Sequence, residues 1–383
     1  MAGSGRHRPS RRSVLAAGTG AAAAAGLTRL SPRSASEAVA RAAYAVPAAL
    51  TPQQQAGQRV VFSYSGTTVP QSLLDQIASG QAAGVIFFGG NISSLAQITA
   101  AVQQLRQANL RSPNPAPLLL MTDQEGGQIR RLPGAPVLSA KQIGASADPA
   151  GGAADAGTGA GNLLRSVGMN VNLAPVLDVY RTAGDFEDQY QRSYSTDPEV
   201  VSLCGRSFIT AQRATGVAAT AKHFPGLGPA TAAQNTDLRP VTLKTSLSQL
   251  RHLDEVPYVA ALTAGVDLVM VSWAIYSELD AAHPAGLSPT VVQSELRERF
   301  TFTGVTITDA IGAGALSALG TPAQNAVTAA AAGMDLVLDA SGDVAAGQAI
   351  VSSLAGALQG GVLGATGFTA ALGRINALRN RLF

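Results

Sequence analysis

The architecture can be inferred outward from one short segment, Gly304-Val305-Thr306-Ile307-Thr308-Asp309. Its β-branched and apolar residues after a glycine are typical of a buried strand. The strand ends on a carboxylate, and α/β enzymes with parallel strands place their chemistry at that end. Asp309 also has a structural interpretation, because Asp is a favoured first residue of a following helix. The residues at the other strand ends distinguish the two interpretations.

Short apolar or β-branched runs recur along the chain, and stretches with helical spacing separate most of them. The runs are 59–63, 84–88, 118–122, 171–177, 217–221, 266–272, 304–308 and 335–338. The clearest helical stretches are 93–110, 198–215, 246–264, 290–299 and 322–332. This alternation favours parallel βαβ units, and eight units predict a closed (β/α)8 barrel of the TIM type, in the α/β class. One helical segment, 367–381, follows the last run, which predicts a single domain.

The composition limits the classes of function. The 383 residues are 46% hydrophobic and 13% charged, which suits a large folded core. No Gly-x-Gly-x-x-Gly follows the first run, and none of the four histidines has ligand spacing to another. We therefore expect no cofactor and no metal. Outside the amino-terminal tail no basic stripe is interleaved with aromatic residues, so we expect no nucleic-acid partner.

The amino-terminal tail has the pattern of an export signal. Ser10-Arg11-Arg12-Ser13-Val14-Leu15 precedes an Ala-rich apolar stretch, 16–27, as in twin-arginine signals. We assign residues 1–45 to the signal and a linker, residues 46–383 to the barrel, and the mature protein to the extracytoplasmic space. A plain disordered arm is the alternative. Cys204 is the only cysteine, so no intramolecular disulfide forms. No stretch reaches the roughly 18 apolar residues of a membrane span.

Charged residues follow four of the predicted strands. They are Asp123, Arg131, Asp178, Arg192, Lys222, His223 and Asp309. One charged loop alone is usually only solvated. Four strand ends that meet at one face of a barrel are harder to explain in that way. Carboxylates accept hydrogen bonds from hydroxyl pairs, and Arg and Lys donate them, so this mixture suits a neutral polyhydroxylated ligand such as a carbohydrate.

Six motifs resemble glycoside hydrolase family 3. They are TDQEGG (122–127), NLAPVLDV (172–179), RSYSTDP (192–198), KHFPGLG (222–228), AGLSP (285–289) and GVTITD (304–309). The single-barrel β-N-acetylhexosaminidase branch has the most similar pattern, and the resemblance extends from about residue 51 onward. It implies an exo-acting retaining β-glycosidase that removes terminal N-acetylglucosamine from glycans or cell-wall fragments. A β-glucosidase or another exo-β-glycosidase is compatible with the same motifs.

The resemblance also implies roles for individual residues. Asp309 matches the catalytic nucleophile. The positions that hold the hydroxyls of the non-reducing sugar match Asp123, Arg131, Arg192, Lys222 and His223. For Lys222 and His223 a second role remains open, because both can brace the loop after the fifth strand by hydrogen bonds.

The chain departs from this branch in the loop after the fifth strand. The branch takes its acid/base from the histidine of an Asp-Ser-His triplet, whereas residues 228–240 contain no histidine. Gln234-Asn235 falls near that position, and an amide cannot shuttle a proton. Asp237 is the nearest titratable group and is our candidate for the acid/base. Leu227 also replaces the histidine of the glycine-rich motif.

Two functions therefore remain after the sequence alone. In the first, the protein is an active exo-glycosidase in which Asp237 covers the missing proton transfer. In the second, a catalytically impaired barrel binds glycans or acts as a scaffold. The intact Asp309 favours the first, and the missing histidine favours the second, since loss of general acid catalysis typically costs about 10² to 10⁴ in rate. Nothing in the sequence predicts an oligomeric state.

Overall fold

The computed structural model describes residues 50–383, and a closed barrel of parallel strands forms the centre of this part of the chain. The strands pair in chain order, and the last pairs with the first. They are β1 (Val60–Phe62), β2 (Gly84–Ile86), β3 (Leu119–Thr122), β4 (Val171–Asn172), β5 (Ala218–Phe224), β6 (Leu268–Val271), β7 (Val305–Ala310) and β8 (Leu336–Leu338). Each lies at one of the runs in the sequence, so the predicted (β/α)8 barrel is confirmed. The predicted export signal and linker, 1–45, lie outside the described residues.

Both faces of the strands are buried. Val61, Leu268 and Ile307 belong to an inner core to which all eight strands contribute. Val60 and Val269 belong to a larger core that includes residues of the surrounding helices. Because successive side chains of a strand point to opposite faces, one strand supplies both cores. This explains why the strands are continuous apolar runs without polar alternation.

Helices follow the strands and cover the barrel. They are α1 (Gln71–Ala78), α2 (Leu95–Asn109), α3 (Pro149–Ser166), α4 (Pro198–Ala214), α5 (Val256–Thr263), α6 (Thr290–Arg299), α7 (Pro322–Ala332), α8 (Val344–Gln359) and α9 (Ala365–Arg379). The prediction of one helical segment after the last strand is wrong, since α8 and α9 both lie there. Many small residues obscure the helical spacing of the large apolar residues in α8. Its buried face includes Val344, Ile350, Val351 and Leu354. Among the described residues no helix is long and apolar enough to cross a membrane.

The loops at the carboxyl ends of the strands build a rim above the barrel. After β3 the chain forms a small antiparallel hairpin of Gln124–Gly126 and Ile129–Arg130. After β5 and β6 the loops pair through Thr242–Leu243 and Ile275–Tyr276. These two small sheets bring distant loop residues back over the ends of the strands.

Candidate active site

A cavity of about 280 Å³ lies at the carboxyl end of the barrel. All seven residues predicted for the site line it, namely Asp123, Arg131, Arg192, Lys222, His223, Asp237 and Asp309. The side chains of Ile86, Leu173, Met270 and Leu338 also line it, and they come from the strands or their ends. The cavity therefore combines an apolar floor with a charged wall.

A larger concavity of about 1080 Å³ lies at the opposite end, where β6 and β7 begin. Its carboxylate, Asp267, is engaged by two arginines, with 3.0 Å to Arg213 Nε and 3.2 Å to Arg381 Nη1. None of the predicted site residues lines it. Since barrel enzymes work at the carboxyl ends of their strands, the smaller cavity is the candidate active site.

The hairpin after β3 positions Asp123 and Arg131. Asp123 directly follows the last residue of β3, and its backbone carbonyl accepts a hydrogen bond from the Arg131 amide at 3.3 Å. The guanidinium of Arg131 then lies beside the Asp123 carboxylate, with 3.8 Å between Nη2 and Oδ2. Arg131 follows Asp123 by eight residues, which is the length of chain that the hairpin needs to bring Arg131 back beside Asp123.

Lys222 connects two carboxylates at the charged wall of the cavity. Its ammonium lies 2.8 Å from Asp123 Oδ1 and 2.7 Å from Glu125 Oε1. Burial lowers the pKa of Lys222, but the charges of the two carboxylates outweigh that effect and raise it. Burial likewise acts to raise the pKa of Glu125, yet Arg192 and Lys222 hold it at about 2. Lys222 and Glu125 therefore stay charged at neutral pH.

Arg192, in the loop after β4, is fixed by two acids. Its Nε and Nη2 donate to the two oxygens of Glu125, at 2.9 Å each. Its third nitrogen, Nη1, lies 2.7 Å from Glu187 Oε2. Burial acts to lower the pKa of Arg192, and the two acids more than compensate, so the pKa is raised. A planar guanidinium held on both sides in this way has one available orientation.

His223 is held by a buried carboxylate. Its Nδ1 lies 2.7 Å from Asp178 Oδ2, and Asp178 Oδ1 accepts from the Leu227 amide at 2.6 Å. Burial lowers the pKa of His223, but Asp178 and Glu187 outweigh it and raise the pKa. The bracing role that the sequence left open is present for His223, because Asp178 also holds the Leu227 amide of the loop after β5. The ammonium of Lys222 instead contacts acids of the hairpin after β3. Contact of either residue with the sugar stays a prediction.

Three buried groups lie close enough together to hold a cation. Ligand atoms of Asp178, Glu187 and His223 lie within 4.8 Å of one another. However, Asp178 already accepts hydrogen bonds at both oxygens, and Arg192 is paired with Glu187. Burial, together with the charges of Asp178 and Glu125, raises the pKa of Glu187 to about 6. These contacts describe a hydrogen-bonded network, and we assign no metal to it.

Asp309 lies at the carboxyl end of β7. Its Oδ1 accepts from the Ala310 amide at 2.7 Å, and the indole of the buried Trp273 donates to the Ala310 carbonyl at 2.9 Å. Within residues 50–383 Asp309 has no salt-bridge partner. It does not cap the following long helix, because Thr321 accepts from the Gln324 amide there. The helix-capping interpretation is therefore wrong.

Asp237 lies across the same cavity, in the loop after β5. Its side chain is exposed, and its amide donates to Asn235 Oδ1 at 2.8 Å. Partial desolvation by the surrounding loops, followed by the negative charge of Asp309, raises the pKa of Asp237. A carboxyl group whose protonated form is favoured beside a second, unpaired carboxylate has the properties of an acid/base partner.

Comparison with known proteins agrees with this geometry. The family model for the glycosyl hydrolase family 3 N terminal domain matches residues 71–378. This chain belongs to glycoside hydrolase family 3. It is therefore a glycoside hydrolase, and its substrate is a carbohydrate.

Several family 3 relatives cover most of the chain. An uncharacterized secreted glycosyl hydrolase of Arthroderma benhamiae is 45% identical, over 89% of this chain and 97% of that protein. A β-hexosaminidase of Xylella fastidiosa is 32% identical, over 84% and 97%. Two solved structures are similar in fold. A Paenibacillus family 3 β-N-acetylglucosaminidase has a TM-score of 0.82 and 31% identity to this chain. The match covers 87% of this chain and 63% of the Paenibacillus protein. A β-N-acetylhexosaminidase of Beutenbergia cavernae has a TM-score of 0.78 and 32% identity, over 87% and 99%.

Two acids of this family 3 site were not assigned from the sequence. Glu125 had a usable signal, because it is two residues from Asp123 and side chains at that spacing leave an extended chain on the same side. Asp123 and Glu125 in fact both contact Lys222. Glu187 had no such signal, since it lies in a loop without regular spacing and is placed by its contact with Arg192.

Proposed function

We propose that the protein is an exo-acting, retaining β-N-acetylhexosaminidase that removes terminal N-acetylglucosamine. In this proposal Asp309 is the nucleophile, and Asp237 is the acid/base. The sugar is held by Asp123, Arg131, Arg192, Lys222 and His223. The observation that carries the proposal is the pair of carboxylates on one cavity, of which one has a pKa raised in part by the charge of the other.

The chemistry follows from that pair. Asp237, in its protonated form, donates its proton to the glycosidic oxygen while the Asp309 carboxylate attacks the anomeric carbon. The leaving sugar departs as an alcohol, and the first sugar becomes an ester of Asp309. Asp237, now ionised, removes a proton from water, which attacks the anomeric carbon and releases Asp309. Two displacements retain the anomeric configuration, and this mechanism requires the carboxyl groups to be about 5 to 5.5 Å apart in the working complex.

The cavity size supports exo action. At about 280 Å³ it lies just below the ~300 to 1,000 Å³ typical of small-molecule sites. Such a volume suits one terminal sugar better than an internal segment of a polymer. The ion pairs of the wall fix donors and acceptors before the sugar arrives, which reduces the ordering needed on binding.

The choice of N-acetylglucosamine rests on relatives. The Paenibacillus and Beutenbergia proteins are described as a β-N-acetylglucosaminidase and a β-N-acetylhexosaminidase. Each is over 30% identical to this chain across 87% of its length. The second candidate is a family 3 barrel with impaired catalysis that acts as a glycan-binding or scaffold protein. The absence of a histidine from residues 228–240 favours it.

One experiment separates these candidates. The purified protein is given aryl N-acetyl-β-glucosaminides with leaving groups of different acidity, and the matching β-glucosides. Proton NMR follows the anomer that is released first. The proposal expects turnover of the N-acetyl series with the β-anomer as the first product. Initial release of the α-anomer would contradict a retaining mechanism. Faster turnover of the glucosides would contradict the assignment of N-acetylglucosamine as the sugar. Binding without turnover of any substrate would support the second candidate.

We also propose that residues 1–45 direct export and that the barrel domain is residues 46–383. The tail pattern supports this, as does the description of the Arthroderma relative as secreted. Replacing both Arg11 and Arg12 by Lys should retain the protein in the cytoplasm, because the paired arginines are the recognised feature of the signal. Cell fractionation with immunoblotting measures this, and normal export of the double variant would contradict the proposal.

A further inference from the structure

The segment after Asp309 is hydrogen-bonded to the loop that carries Asp237. The Gly314 amide donates to the Asp237 carbonyl at 2.8 Å. The next amide, of Ala315, donates to the Thr236 carbonyl at 2.9 Å. Both Ala315 and Thr236 are buried, so the second of these bonds is shielded from water. The two candidate catalytic carboxylates are thus joined through a short backbone segment.

Gly314 allows this contact because it has no side chain. A Cβ atom there would lie 2.3 Å from the carbonyl carbon of Leu238, 2.4 Å from its oxygen and 2.8 Å from the Asp237 oxygen. These are backbone atoms, and real Cβ atoms essentially never approach closer than 3.0 Å. Any other residue at this position must therefore displace the segment around Asp237.

The other end of the segment is also fixed. The Ala313 amide donates to the Ala310 carbonyl at 3.0 Å, and Trp273 donates to the same carbonyl at 2.9 Å. The segment therefore cannot easily yield on the side of β7. A side chain at Gly314 would instead be expected to move the loop that carries Asp237, which lies outside the barrel wall.

We propose that Gly314 is a positioning residue that holds Asp237 in place for proton transfer to the leaving group. This inference rests on the proposed role of Asp237 as the acid/base. Gly314 itself does not line the cavity, so it acts through the backbone of Asp237 and Leu238. Binding of the sugar, which depends on the opposite wall, is not affected.

The expected result concerns the leaving group. Gly314→Ala should lower kcat for substrates with poor leaving groups on the order of 10²-fold, the loss expected for a misplacement of about 1 Å. Dinitrophenyl substrates, which need little protonation, should change far less, and the binding constant of N-acetylglucosamine should stay the same. Gly312→Ala is the matched control, because it lies in the same segment with open space around its Cβ position. It should behave like the wild type.

A structural measurement keeps the test independent of activity. Hydrogen exchange followed by mass spectrometry should show faster exchange of residues 229–240 in Gly314→Ala and not in Gly312→Ala. A measurement on the wild type does not require that any variant folds. There, the amides of Gly314 and Ala315 should be protected from exchange. Rapid exchange of both wild-type amides overturns the proposal.

The kinetics give the remaining outcomes. If Asp237→Ala shows a leaving-group-dependent loss and Gly314→Ala does not, the role of Gly314 is refuted while the proposed function stands. If Asp237→Ala itself has no effect, the proposed function fails, and the role of Gly314 in proton transfer fails with it. A loss in both variants, confined to poor leaving groups, supports the proposal.

Discussion

The two sides of the cavity use their charges in different ways. On the side formed by the loops after β3 and β4 and by the end of β5, the charged groups are paired, as Lys222 is with Asp123 and Glu125. On the side formed by β7 and the loop after β5, neither Asp309 nor Asp237 has a salt-bridge partner within residues 50–383. The first side is suited to hold a ligand in one orientation, and the second leaves its carboxylates free to react.

This difference has an energetic reason. A buried charge must be paired, or it shifts its pKa until it is neutral, so the paired side is stable only as a complete network. A nucleophile or acid that was paired with an arginine would lose its reactivity toward the substrate. Desolvation, followed by the negative charge of Asp309, instead raises the pKa of Asp237. We therefore expect loss of activity and loss of stability to separate between the two sides.

The largest effect is expected at Asp309. Asp309→Ala should lower turnover of an activated aryl glycoside by about 10⁴-fold or more, as removal of a nucleophile does in other hydrolases with covalent intermediates. Its free energy of unfolding should be unchanged or higher, because no ion pair is broken. Steady-state kinetics and urea unfolding measure the two quantities. Substantial residual turnover would place the nucleophile elsewhere.

The next effect is expected at Asp237. Asp237→Ala should slow hydrolysis of poor leaving groups by about 10² to 10⁴-fold, with a much smaller effect on activated ones. Added azide should restore the activated reaction. The acid must be protonated to act, so wild-type activity should fall as the pH rises through the raised pKa of Asp237. In Asp237→Ala that alkaline limb should disappear, and its persistence would assign the acid to another group.

On the paired side, the expected effect is on stability. Lys222→Met should lower the free energy of unfolding by about 3 to 5 kcal/mol, the usual result of removing one partner of a buried ion pair. The reason is that Asp123 and Glu125 would lose their shared cation. Lys244→Met, at an exposed lysine, is the control and should unfold like the wild type. Equal stability of the two variants would show that the network is not cooperative.

The smallest effect is a change in the pH dependence of stability. The pKa of folded His223 is raised above its usual 6.5 by Asp178 and Glu187, in spite of burial. The stabilisation that protonated His223 gives the folded state is therefore complete below pH 6.5. It is lost as the pH rises through the higher pKa of the folded protein. His223→Gln should flatten the decline of the melting temperature above pH 6.5. An unchanged slope would show that His223 is not the group responsible.

Some features of the two sides could be predicted from the sequence, and others could not. The barrel strands were visible because strands buried on both faces are apolar throughout. The cavity residues were visible because they follow those strands within recognisable motifs. Glu187 and Gly314 were not, since their roles arise from contacts with Arg192 and Leu238, which are distant in the sequence. The helix α3 was not among the clearest helical stretches, because its glycines weaken the helical pattern. Gly157 is needed where the helix meets the Phe208 carbonyl of α4.

In the proposed mechanism Asp309 forms a covalent ester with the sugar, while the paired side only holds it. The most direct test is trapping with 5-fluoro-N-acetylglucosaminyl fluoride, whose fluorine slows the second displacement, followed by peptide mapping. We predict one added sugar per chain, attached to Asp309, and no label in Asp309→Ala. Attachment to Asp123 or Asp178, or labelling that persists in Asp309→Ala, would contradict the account.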